Sequence, residues 1–157
     1  MQDRAADKGG VAERRAAMAV LAQAQIGELR EGLAAFGGMV DHSEPRPPEI
    51  GLVMVRGRIG GDGAPFNLGE ATVTRAVVRI ASGEIGFSYA LGRDREKGRL
   101  AALCDALWQN PDHHQGLERH VLAPVRARLA AEQKEGRERT AATRVEFFTL
   151  VRGEDEP

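Results

Sequence analysis

The stretch from Gly51 to Ile80, GLVMVRGRIGGDGAPFNLGEATVTRAVVRI, constrains the fold more than any other part of the chain. Ile50, Leu52 and Met54 alternate with Gly51 and Val53, the period-2 pattern of a strand. Gly60-Gly61-Asp62-Gly63 then supplies residues able to take positive φ, and the chain returns as a second strand through Ala71 to Ile80. Ser82-Gly83 marks another tight turn. After it Ile85, Phe87, Tyr89 and Leu91 alternate with Glu84, Gly86, Ser88 and Ala90. Strands joined by turns this short run antiparallel, because a parallel return needs a long crossover. A meander of at least three strands is expected.

Helical patterns flank it. From Val11 to about Gln25, Met18, Leu21 and Gln25 share a stripe with Ala17 and Ala24, and Leu29, Leu33 and Phe36 repeat the pattern before Gly37-Gly38. These two segments read as a helical hairpin. Residues 1–10 read as a disordered extension ahead of a single domain spanning 11–153. Asp41 to Glu49, with Pro45, Pro47 and Pro48, reads as a connector, since each ring removes a donor and restricts its predecessor. Beyond the meander, Asp94 is placed to cap a helix whose Leu100, Leu103, Cys104 and Leu107 form one apolar face. A further run, Leu117, Val121, Val125 and Leu129, contains Pro124, so a kink or fresh start is expected with Ala123 at the boundary. The charged segment after it, with Glu135 four residues before Arg139, reads as a solvated helix, and Arg144 to Val151 as a last strand. The fold class is therefore α+β, an antiparallel sheet of about four strands with α-helices packed on one side.

The totals exclude several functions. Twenty-two basic against 23 acidic residues leave a net charge of -1, so no overall field draws the chain to nucleic acid or to an anionic membrane. Cys104 is the single cysteine, which rules out an internal disulfide and favours a reducing, cytoplasmic setting. No segment has the apolar length of a membrane span. With seven aromatics scattered along 157 residues, a stacking platform for single strands is not expected.

Among residues with chemistry to offer, the arginines stand out. Arg56 and Arg58 lie two apart and Arg75 and Arg79 four apart, so strand geometry would put each pair on one face. They either line an anion or partner site or form ion pairs on the wet side of the sheet, and the sequence leaves both open. The glycine cluster at 60–63 lacks the lysine and spacing of a phosphate-cradling loop and reads as a hairpin turn. His42, His113, His114, His120 and Cys104 show no metal-ligand spacing, so no metal is expected. No serine sits in a nucleophile elbow, and Cys104 reads as core. Asp62, Glu70, Glu84 and Asp94 are the carboxylates that a nucleosidase acting alone would draw on, and they are not ranked.

Gly51 to Ile80, continued by GEIGFSYALGRDREKGRLAALCDALWQ and the closing RVEFFTLVRG, resembles the PhnG family, the G subunit of bacterial carbon-phosphorus lyase. The resemblance runs from about Ala16 to Gly153 and omits Pro45 to Pro48. It implies a cytoplasmic subunit of a phosphonate-degrading complex in which subunits G, H, I and J assemble with two-fold symmetry. The implied reaction replaces the adenine of MgATP by methylphosphonate, giving ribose 1-methylphosphonate 5-triphosphate. Subunit I is implied as the catalytic chain, with iron-sulfur and S-adenosylmethionine chemistry on subunit J. No catalytic residue and no bound cofactor carries over to this chain. The expected role is accessory, with Arg56, Arg58, Arg75, Arg79 and Arg93 as candidate anion- or partner-binding residues and direct contact to subunit I. The alternative is a stand-alone anion- or nucleotide-binding module.

Overall fold

The structure, a computed structural model, describes residues 3–37, 40–60 and 62–143. The last strand expected over Arg144 to Val151 lies outside them. The chain divides into two units, Met1–Arg126 and Ala127–Pro157.

The first unit holds β1 (His42–Gly57), β2 (Phe66–Ile80) and β3 (Ile85–Leu91) in the order β1-β2-β3, with both neighbouring pairs antiparallel. This is the expected meander, and the class is α+β, with three strands among the described residues. Helices α1 (Asp3–Gln23), α2 (Ile26–Phe36), α3 (Arg95–Gln109) and α4 (Pro111–Leu117) belong to the same unit.

Two expectations are corrected. The proline-rich Asp41 to Glu49 is largely strand, because β1 starts at His42. Register shifts fall between Ser43 and Arg46 and between Arg46 and Glu49, so Pro45, Pro47 and Pro48 sit at positions with no partner on β2. A proline costs a strand only where its missing N–H was needed, and on an edge strand with bulges it is not. The two first helices are also not chiefly a hairpin: α1 packs on α3 and β3, while α2 packs on α3, α4 and the turn before Ala123. Backbone helicity in α1 begins at Asp3, ahead of Val11 where the apolar stripe starts.

Helix α3 is the centre of the unit. The Asp94 carboxylate accepts from the Lys97 N–H at 2.9 Å, supplying the N-cap, and every residue from Leu100 to Leu107 is buried. Its Leu103, Cys104 and Leu107 meet a core completed by Val78 of β2, Leu29 of α2 and Val121, Leu122 and Val125. Contact with β3 is close enough to demand glycine: a Cβ at Gly86 would run into Ala102 O and Ala106 N.

Pro124 shapes the next segment. Residues Glu118–Leu122 form one π-helical turn, in which the Ala123 N–H reaches back to Glu118 O, and α5 (Ala123–Ala142) starts at the expected boundary. A proline cannot donate to His120 O, and the wider turn absorbs that loss. Gly32 of α2 lies against this carbonyl, and a Cβ there would approach it to 2.7 Å.

In the second unit the described residues continue α5 and end at Thr143. Its charges pair along the helix at i, i+4: Arg128 with Glu132 at 2.9 Å, Lys134 with Glu138 at 3.9 Å and Arg139 with Glu135 at 2.5 Å. This is the solvated helix the charge pattern implies, and Gly136 does not interrupt it.

Candidate functional site

Cross-strand pairing places the arginines. Arg56 lies opposite Asn67 and donates to its Oδ1 at 3.4 Å, while Arg75 lies opposite Glu49. Eight residues of β2 separate these positions, roughly 26 Å at the rise of an extended strand. The two pairs therefore do not converge on one small anion. Arg58 follows Gly57, the last residue of β1, so the strand register that places Arg56 does not extend to it. Arg75 and Arg79 do share the sheet face turned away from the helices.

Their charges are handled differently. Arg75 Nε bonds Glu49 Oε1 at 2.6 Å, and Arg46 approaches the same oxygen at 3.6 Å. Exposed pairs of this kind contribute about 0.2–1 kcal/mol and are a sufficient account of Arg75. Arg58, Arg79 and Arg93 are exposed and carry no ion pair among the described residues. Arg79 lines a shallow hollow with Asp41, His42 and Ser43, whereas Arg93 sits in the link between β3 and α3.

The carboxylates do not gather either. Asp62 is in the turn at the tip of the β1–β2 ribbon and Glu84 at the opposite end of the sheet, roughly 45 Å away along β2. Asp94 is spent as the cap of α3, and Glu70 is exposed opposite Met54. Glu84 is held below the usual carboxylate value by the Ser82 hydroxyl at 2.5 Å and its own backbone N–H, with smaller help from Asn110 Nδ2 at 2.8 Å. The histidines have local partners: His42 Nδ1 meets Val40 O and His114 Nδ1 meets Trp108 O, each at 2.7 Å, and His113 stands edge-on to Phe36. Among the described residues no group of three or more His, Cys, Asp or Glu could hold a metal ion. Burial pushes the Cys104 thiol up, with the Asp105 charge adding to it, as befits inert core.

Sequence reasoning missed the best-built polar cluster. Asp105, 1% exposed on α3, takes Arg14 of α1 in a bidentate pair at 3.0 and 2.7 Å and also accepts the Phe87 N–H of β3 at 2.8 Å. The Arg14 guanidinium is held more firmly protonated by that hydrogen bond, against the opposing effect of its burial, and lies 5.8 Å from the Phe87 ring. The signal was an aspartate inside the all-apolar LCDAL, where a charge survives only if it is paired. These groups fasten α1, α3 and β3 together.

The described residues also leave an apolar surface uncovered. The ribbon of β1 and β2 projects past the helices, exposing Leu52 (61%), Met54, Val55, Ile59, Phe66 and Leu68 (63%), and β3 exposes Phe87, Tyr89 and Leu91 (74%). Ile50, Leu52 and Met54 lie opposite Thr74, Thr72 and Glu70 on the helix-facing side, and Val53 and Val55 on the other. A two-stranded ribbon apolar on both faces is marginal in water and gains from a covering surface. No helix among the described residues is long and apolar enough to cross a membrane.

The family model described as phosphonate metabolism protein PhnG matches residues 12–153. A protein of Rhizobium meliloti (strain 1021), named alpha-D-ribose 1-methylphosphonate 5-triphosphate synthase subunit PhnG, is 52% identical over 149 residues, which is 95% of each chain. With the match covering nearly all of the sequence, this chain belongs to the PhnG family of phosphonate metabolism proteins.

Proposed function

We propose that this chain is an accessory, required subunit of a synthase that displaces adenine from MgATP with methylphosphonate to give alpha-D-ribose 1-methylphosphonate 5-triphosphate. The observation that carries the reading is the 52% identity, across 95% of both chains, to a relative named as a subunit of that synthase. Two features support the accessory role. The candidate carboxylates are dispersed or committed to caps and turns, and the exposed apolar ribbon suits burial against a neighbour.

In this reading the partners are subunits H, I and J of a two-fold complex, with subunit I in direct contact, and iron-sulfur and S-adenosylmethionine chemistry belongs to J. The single cysteine fits that division, since cluster ligation takes several thiolates. Arg58, Arg79 and Arg93 have no ion pair among the described residues and face an acidic partner surface. The site of action is the cytoplasm.

The test is co-expression with the other subunits, size measurement and an adenine-release assay with MgATP and methylphosphonate. The expected result is one large species that releases adenine, and loss of release when this chain is omitted. Full activity without it, or turnover by this chain alone, overturns the reading. Charge reversal at Arg58, Arg79 and Arg93 together is expected to lower assembly at least tenfold, and a triple variant that assembles and works as wild type removes those residues from the proposal.

A further inference from the structure

The edge of β3 is sealed along one half and open along the other. The β2–β3 register pairs Thr74 with Ala90 and Ala76 with Ser88. Glu84 O receives the Ile80 N–H at 3.1 Å, and the Gly92 N–H reaches Thr72 O at 2.9 Å. Even-numbered residues of β3 therefore bond inward to β2, and the backbone groups of Ile85, Phe87, Tyr89 and Leu91 point outward from the sheet. Ile85 O is taken by Gln109 Nε2 at 2.8 Å and Arg14 at 3.4 Å, and the Phe87 N–H by Asp105. Past that point the sealing stops. Phe87 O, the Tyr89 N–H and C=O and the Leu91 N–H have no partner among the described residues.

Folded proteins blunt such edges with proline, lysine, a bulge or a cover, and among the described residues none stands here. Instead a groove of about 300 Å³ runs between the open edge and α1, lined by Met18, Ala19, Ala22, Tyr89 and Ala90, with Arg15 at its rim. Ser88 also lines it, and Ser88 Oγ is buried with no hydrogen-bond partner, the only such side-chain atom among the described residues. A buried hydroxyl left unpaired is destabilising, and an incoming polar group would relieve it.

We propose that the Phe87–Leu91 edge accepts one extended strand from a partner subunit, adding a fourth strand to this sheet. The inference rests on the subunit reading above and specifies how the contact is made. An open backbone edge recognises extended chain, and the groove sets the side chains. The docked strand carries small apolar residues on the side turned toward α1, one hydroxyl or amide side chain beside Ser88, and an acidic residue toward Arg15, which has no ion pair among the described residues.

The test uses the full chain, alone and in the co-purified complex. Hydrogen exchange read at single residues is expected to show Ser88 and Ala90 slow in both states, and Tyr89 and Leu91 fast alone but slowed at least tenfold in the complex. Tyr89→Pro removes an outward N–H and leaves the β2–β3 ladder whole. It is expected to fold and yet lose at least tenfold in co-purification, while Tyr89→Ala, which keeps the N–H, retains most of it. Ala22→Phe, filling the groove from α1, reads the same contact should Tyr89→Pro misfold.

Folded Tyr89→Pro or Ala22→Phe assembling as wild type, with Tyr89 and Leu91 still exchanging fast in the complex, overturns the proposal. So does slow exchange in the isolated chain, because the edge is then covered by this chain or a second copy. Should wild type assemble with nothing, the subunit reading falls and the strand contact with it. Should it assemble with the edge still open, the strand contact alone falls.

Discussion

At the scale of the residue, Asp105 carries more of the architecture than any other polar group. Its carboxylate neutralises Arg14 and caps the Phe87 N–H from a buried position, so Asp105→Ala strands two donors at once. Urea denaturation is expected to show a loss of about 2–4 kcal/mol. Arg14→Met is expected to cost a similar amount, because it leaves the Asp105 carboxylate, 1% exposed, without its counter-charge. Glu84 gives a pH test. Its folded pKa lies below the ordinary 4.5, so its contribution is complete above that value and is lost as pH falls through the depressed folded value. The melting temperature of wild type is therefore expected to exceed that of Glu84→Gln at pH 7, with the gap closing on acidification below pH 4.5.

At the scale of the element, two glycines separate packing from propensity. Gly86 has the backbone of α3 where a Cβ would go, so Gly86→Ala must push β3 off α3, with an expected loss of about 1–3 kcal/mol by denaturant titration. Gly136 lies in exposed α5 with nothing within 4 Å of a built Cβ. Gly136→Ala is expected to raise helicity by circular dichroism and to stabilise α5 locally by about 0.5–1 kcal/mol. The elements themselves were largely legible. Alternation found the second half of β1 and all of β3, the glycine turn returned the chain as β2, the i, i+3, i+4, i+7 stripe found α3, and Pro124 placed the start of α5. The misreading of Pro45 to Pro48 has a physical source: whether a missing donor matters depends on the neighbour across the strand, and edge position is a property of the sheet.

At the scale of the whole molecule, the exposed apolar ribbon separates folding from assembly. Leu52→Ser with Met54→Ser removes apolar area that the isolated chain leaves more than half exposed, so its unfolding free energy is expected to fall by no more than about 1 kcal/mol. Co-purification with partner subunits is expected to fall at least tenfold. A large loss of stability in the isolated chain would show instead that the ribbon is covered within the chain. The candidate site was less legible than the fold. Arg75 and Arg79 fell on one face as their spacing implied, yet pairing with Glu49 accounts for the first and distance along the ribbon separates both from Arg56.

The sequence by itself determined the antiparallel meander, the central helix, the inert cysteine and membership of the PhnG family, because periodicity, turn chemistry and residue order are written locally along the chain. Only the tertiary structure decided which arginines are neutralised, that Asp105 fastens three elements, and that half of β3's edge stays open among the described residues. Each of these depends on which groups distant in sequence come within a few ångströms, and register, helix placement and edge position exist only once the chain has folded.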